Sequence, residues 1–194
     1  MRKKLKLKYI KHGYFLVSLI SLAGCASPQI KESYDEFRKM RICRLEPFVF
    51  NIEAGWLGST RSTSISLEAL PNNDIKAVLI SSNLNTLISK YDSFTPKSKL
   101  KFIAKNSSKT EEFLFVSEDL SSTRKPGPNY TDIIDTHITF TIKPEQLNKI
   151  IEAPVTEFYF EAGKEPVKGE LNPRTKEFFQ HFMQKCMPAL GNKK

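Results

Sequence analysis

The chain predicts an α+β domain: a largely antiparallel sheet of six to eight strands with an N-terminal and a C-terminal helix packed on it. Three observations carry that prediction. Several stretches alternate apolar and polar residues with period two, residues 134–142 most clearly. Clusters of Asn, Ser, Pro and Gly separate these stretches at short intervals, as hairpin-linked strands require. Two further stretches, one near each end, space their apolar residues at helical intervals.

Taken in order, Ile30, Tyr34, Phe37 and Met40 recur at helical spacing among Glu32, Asp35, Glu36, Arg38 and Lys39, which predicts a helix over residues 28–41. Residues 46–54 set Phe48, Phe50 and Ile52 against Val49, Asn51 and Glu53, and residues 62–70 set Thr63, Ile65, Leu67 and Ala69 against serines and Glu68. Both are expected strands, joined by Gly55-Trp56-Leu57-Gly58-Ser59. Pro71-Asn72-Asn73-Asp74 is a turn by residue type. Residues 75–80 suit a strand, whereas 83–91, with Leu84, Leu87, Ile88 and Tyr91, suit a helix better. Residues 97–105 and 111–117 form an expected hairpin across Asn106-Ser107-Ser108-Lys109. Residues 121–129 read as a loop built on Arg124-Lys125-Pro126-Gly127-Pro128-Asn129, before the half-buried strand 134–142. Lys143-Pro144-Glu145 starts a short helix through Leu147, Ile150 and Ile151, and strands 155–161 and 167–171 follow as a pair. Asn172 caps the last helix, with Pro173 at its first position and a stripe of Phe178, Phe179, Phe182, Met183 and Cys186.

The first residues speak to location. Arg2, Lys3, Lys4, Lys6, Lys8 and Lys11 precede an apolar run over residues 14–24 without a single acid, the pattern of a secretory signal and too short to span a bilayer as a stable helix. Leu22-Ala23-Gly24-Cys25 then resembles the lipobox of bacterial lipoprotein precursors. That resemblance implies a thioether-linked diacylglycerol on Cys25, cleavage before it and acylation, typically by palmitate, of the new amino terminus. Several chains would anchor the protein stably where one holds only marginally. Ala26, rather than Asp, follows the cysteine, which in the enterobacterial sorting pattern implies the outer membrane facing the periplasm. The expected organisation is a signal peptide over 1–24, a short lipid-anchored tether over 25–29, one α+β domain over 30–190 and a tail over 191–194. The mature chain also resembles, in architecture alone, small periplasmic lipoproteins, a likeness that carries no activity.

Removing the signal changes the charge argument. The full chain has 30 Lys+Arg against 21 Asp+Glu, but six of those cations lie before Cys25, leaving 24 against 21. So small an excess argues against nucleic acid as a partner. With Cys25 committed to lipid, Cys43 and Cys186 form an even pair in a compartment that permits disulfides. The expected bridge ties the exit of the N-terminal helix to the C-terminal helix; two buried free thiols are the competing reading.

No catalytic residues are assigned. Asp132, Asp135 and His137 offer oxygen and nitrogen donors on one short segment, yet neither a structural nor a catalytic zinc set is complete, and no metal or cofactor is expected. Serines lie in no G-x-S-x-G elbow. Neighbouring acids at Glu111-Glu112 and Glu118-Asp119 face opposite sides of a strand. The Lys97, Lys99, Lys101 and Lys105 face reads either as a dock for an anionic headgroup or as an edge strand blunted by charge. Trp56, Arg124, Lys125, Pro126 and Tyr130 are the candidate partner-binding residues, because rigid loops bearing aromatics carry contacts; Trp56 reads equally as a ring buried beneath its glycines. The expected function is therefore a lipid-anchored, non-catalytic binding or scaffolding module of the cell envelope. Its membrane contact runs through Cys25, and its partner is a protein or other envelope component. The alternative is a small envelope enzyme or metal-dependent protein using Asp135 and His137.

Overall fold

The structure, a computed structural model, describes residues 28–37, 39–54, 60–85, 97–127, 132–161 and 166–187. Among these it has ten strands: β1 (Ile30–Asp35), β2 (Met40–Ala54), β3 (Thr60–Ala69), β4 (Ile75–Asn85), β5 (Lys99–Lys105), β6 (Thr110–Val116), β7 (Asp119–Pro126), β8 (Asp132–Ile142), β9 (Val155–Phe160) and β10 (Val167–Glu170). Two helices accompany them, α1 (Pro144–Glu152) and α2 (Pro173–Cys186). One sheet has the order β1-β2-β3-β4-β8-β7 and the other β10-β9-β5-β6. Every pairing is antiparallel, so the α+β class stands with its strands divided between two sheets.

The expected N-terminal helix is instead a hairpin. β1 pairs with the start of β2 from Ile30↔Leu45 to Asp35↔Met40, Lys39 takes a left-handed conformation at φ 50° beside the turn, and Arg41 forms an ion pair with Glu32. Phe37 is fully exposed and Tyr34 largely so, while Ile30 packs partly buried against the core, so the four do not form one buried helical face. The polar face that supported a helix is a strand edge in water.

β2 carries two register shifts, between Leu45 and Phe48 and between Val49 and Asn51. Each extra residue reverses which side chains face inward. Phe48 and Phe50 pack against the core, but Asn51 rather than Ile52 then stands opposite buried Thr63, and Ile52 is exposed. β4 extends to Asn85, so the start of the expected helix over 83–91 is strand; residues 86–91 lie outside the described set. The expected loop at 121–129 is β7 as far as Pro126.

The two sheets face each other across phenylalanines. Phe50 meets Phe158 with ring centroids 4.9 Å apart, and Phe140 meets Phe160 at 6.3 Å, both edge-on. β6 continues through Ser117 and Glu118 into β7, so one stretch of chain passes from one sheet to the other. α2 covers the β2 side of the core, with Phe48 set against Phe178 at 5.0 Å. Asn172 accepts from the Thr175 backbone at 2.8 Å, the expected cap, while Phe179, Phe182 and Cys186 are buried. Cys186 is joined to Cys43 with a Cα–Cα separation of 5.4 Å. The bridge therefore fastens the last helix to β2, not to a helix exit.

Lys143, at the start of α1, reaches back to Asp74 in the β3–β4 turn at 2.7 Å, and Asn72 holds the same carboxylate at 2.9 Å. This pins the helical layer to one end of the six-stranded sheet. Arg124, Lys125 and Pro126 lie at the opposite end.

Candidate functional site

Strand register places that opposite end without ambiguity. Ala54 pairs with Thr60, Arg61 with Asn83, Asn85 with Asp132, and Asp132 with Pro126. The end of β2, the start of β3, the end of β4, the end of β7 and the start of β8 therefore lie together at this one end. Of the sequence-derived candidates, Cys25, Trp56 and Tyr130 lie outside the described residues. Arg124, Lys125 and Pro126 are exposed and complete the edge strand β7 at the same end.

On the outer face, Lys125 donates to Asp135 Oδ2 at 2.9 Å and Ser82 donates to Asp135 Oδ1 at 2.7 Å. Burial alone would raise the Asp135 carboxyl, but the hydrogen bonds from Lys125 and Ser82 hold it below its ordinary value. The acid is thus an ionised link across β4, β8 and β7, both of its oxygens already engaged. His137 lies on the same face of β8, two residues along. Among the described residues no group of three His, Cys, Asp or Glu side chains converges.

The inner face of the same end holds what sequence reasoning missed. Asn51, Thr63, Ser81, Thr136 and Ser122 occupy one cross-strand row running β2-β3-β4-β8-β7. Thr63, Ser81 and Thr136 are at most 1 % exposed. Ser122 and Thr136 bond each other at 3.1 Å. Asn51 Nδ2, Thr63 Oγ1 and Ser81 Oγ are buried with no hydrogen-bond partner. A buried donor left so costs about 1–3 kcal/mol, and three in adjacent positions of one row form a concentrated deficit. Arg61, 4 % exposed and engaged by an interaction of its own, lies two residues from Thr63 on the same strand face. The signal in the sequence was present at Thr63 and Thr136, polar residues on otherwise apolar strand faces. Only the register shows that they join one row, and the shift between Val49 and Asn51 brings Asn51 into it after the inward Phe48 and Phe50.

The lysine face resolves against both earlier readings. β5 is an interior strand between β9 and β6, and its lysines meet carboxylates on both neighbours. Lys99 lies 3.7 Å from Glu161 and Lys101 3.5 Å from Glu112, while Lys105 pairs with Glu157, whose hydrogen bond raises the lysine pKa. Lys101 also sits over the Tyr159 ring, 5.4 Å from its centroid. This surface is a charge-matched ladder rather than a cationic patch. Glu111, on the other face of β6 from Glu112, accepts from Lys109 at 2.7 Å and Lys149 at 2.8 Å, which together bring its carboxyl down to about 2. It lines a polar depression of about 240 Å³ with Ala104, Asn106, Lys149 and Glu152. No described helix is long and apolar enough to cross a membrane.

No protein-family model, curated protein or solved structure matches this chain.

Proposed function

We propose that this chain is a lipid-anchored protein of the bacterial cell envelope, a non-catalytic binding module that works close to the surface of its membrane. The observation that carries the reading is the lipobox-like Leu22-Ala23-Gly24-Cys25 standing only four residues before β1. Pairing begins at once after that, since the Gln29 carbonyl accepts from the Glu46 backbone at 2.9 Å. From Cys25 to Gln29 the chain reaches about 14 Å at most. A diacylglyceryl group on Cys25 would hold the domain against the bilayer rather than on a long tether.

Chain direction adds an orientation. β1 runs antiparallel to β2, so Pro28 and Gln29 lead along β2 in the direction of Ala54, the end that carries the buried polar row and Arg124, Lys125 and Pro126. The anchor and the candidate surface thus favour the same end of the sheet. Ala26 after the cysteine supports the outer membrane, facing the periplasm. Partners are accordingly sought at that surface.

The test is fractionation of cells expressing the full chain or Cys25→Ser. The reading expects the parent chain in the membrane pellet, extracted by detergent but not by high salt, and the variant released from it. Equal distribution of the two would overturn it.

A further inference from the structure

We propose that one edge of the six-stranded sheet, formed by β1 and the second half of β2, lies flat on the bilayer that holds the anchor, with Phe37 and Ile52 in its interface. Large apolar side chains exposed singly need no explanation. Here Phe37 is fully exposed, Tyr34 61 %, Val49 51 % and Ile52 67 %, and all four stand on β1, on β2 or in the turn between them. β1 is the last strand of its sheet, and its side of β2 is paired only as far as the bond from Glu46 to the Gln29 carbonyl. Val49 and Ile52 therefore continue the same edge beyond β1. At its other end Asp35 accepts from the Phe37 backbone at 3.0 Å and Lys39 adopts φ 50°, which closes the turn with Phe37 at its tip. The other sheet offers no such line: its exposed Leu114, Val116 and Val155 each stand directly opposite a lysine of the charge ladder, Lys101, Lys99 and Lys105.

The tether says what covers this edge. Gln29 is held to Glu46 midway along it, and from there to Cys25 the chain reaches about 14 Å at most. Pro28 and Gln29 lead toward Val49 and Ile52, so a bilayer gripped at Cys25 meets these two first. In the other direction the six residues of β1 carry the edge only about 20 Å before the Phe37 turn, so a domain lying along β1 brings Tyr34 and Phe37 down as well. Aromatic rings favour the interface, where a tyrosine hydroxyl stays wet. Charge neither drives this contact nor opposes it. The three cations of β1 and β2 are matched within the protein, Lys31 by Glu46 at 3.0 Å, Arg41 by Glu32 and Arg44 by Glu68. The contact is thus carried by apolar groups and indifferent to headgroup charge. It also turns β7, the opposite edge of the sheet, away from lipid, where a partner can reach Arg124, Lys125 and Pro126.

This inference deepens the lipid-anchor reading and rests on it. The full chain, processed in cells and purified in detergent, is reconstituted in phosphatidylethanolamine–phosphatidylglycerol vesicles whose acyl chains are either brominated or plain. Trp56→Phe removes the single tryptophan, and Phe37→Trp, Ile52→Trp or Thr123→Trp then supplies the only reporter. All three positions are exposed, so each variant should keep the Cys43–Cys186 bridge and the far-ultraviolet spectrum. Bromine quenches an indole seated in the bilayer and leaves one in water untouched. The reporters at Phe37 and Ile52 should each lose fluorescence in brominated vesicles. The one at Thr123, on β7 and five strand spacings or about 24 Å from β1, should keep it. Phosphatidylcholine in place of phosphatidylglycerol should leave both losses unchanged. Loss at Ile52 alone would mean a domain standing on its end, and loss at neither would mean an edge left for a protein; either result overturns the proposal, as does equal loss at all three positions. Intact mass of the same preparation reads the anchor separately. An acylated Cys25 with unquenched reporters sinks the edge and leaves the anchor standing, whereas an unmodified Cys25 sinks the anchor and the edge with it.

Discussion

Replacing Cys43 and Cys186 together by alanine removes the covalent tie between β2 and α2 and measures how far the fold depends on it. The two cysteines are 143 residues apart, so the bridge closes most of the domain into one loop. In the chain-entropy description such a closure disfavours the unfolded state by about 5 kcal/mol, and measured losses on removing native bridges run from about 2 to 5 kcal/mol. Both cysteines are buried, Cys43 at 4 % and Cys186 at 0 % exposure, so alanine also leaves small voids in the core. The expected loss is therefore about 3–5 kcal/mol. In urea, with a slope of about 2 kcal/mol per molar, the unfolding midpoint should fall by about 2 M. The slope itself should rise, because an uncrosslinked unfolded chain exposes more surface. A loss below about 1 kcal/mol, or an unchanged slope with parent and reduced parent unfolding together, would refute the reasoning.

Glu111 is held at about 2 against an ordinary 4.5, so its contribution to stability is complete above pH 4.5 and fades as pH falls toward 2. Its carboxyl resonance should titrate near 2 in the parent and higher in Lys149→Ala; the same midpoint in both would contradict the pairing. Asn172→Ala removes the acceptor for the Thr175 backbone and should cost about 1 kcal/mol in chemical denaturation, whereas no loss would show that the cap does not hold α2. Gly169→Ala drives a methyl group to 2.9 Å from the ring of Phe158, which is 1 % exposed and already set against Phe50. It should destabilise by about 1–3 kcal/mol, and a neutral result would mean that the ring has room to move.

Where a strand had one face in the core and one in water, its sequence announced it. β8 is the best case: Thr136, Ile138, Phe140 and Ile142 are buried in strict alternation with half-buried partners. α2 was equally legible, because its cap, its proline and its aromatic stripe agreed. The failures share a cause. β1 and β7 are edge strands with most residues exposed on both faces, so neither carries the period of two, and the chance spacing of Ile30, Tyr34, Phe37 and Met40 filled the gap with a helix. Their strand state comes from pairing with β2 and β8, a tertiary effect that local propensity does not encode.

The candidate site was legible in pieces. Arg124, Lys125 and Pro126 read in the sequence as a rigid loop and stand on an edge strand at the relevant end. The polar row escaped because its unity lies in register across β2, β3 and β4, and because the second register shift in β2, between Val49 and Asn51, puts Asn51 in place of Ile52 on the inward face. A Thr or Ser on an apolar face reads as a minor blemish in one strand. Aligned with two neighbours, it becomes one buried polar row.

The most direct test of the account is the intact mass and N-terminal peptide of the chain recovered from cell membranes. The account expects residues 1–24 to be gone and Cys25 to lead the chain carrying diacylglycerol and an amide-linked acyl group. A chain still beginning at Met1 with an unmodified Cys25 thiol would contradict it.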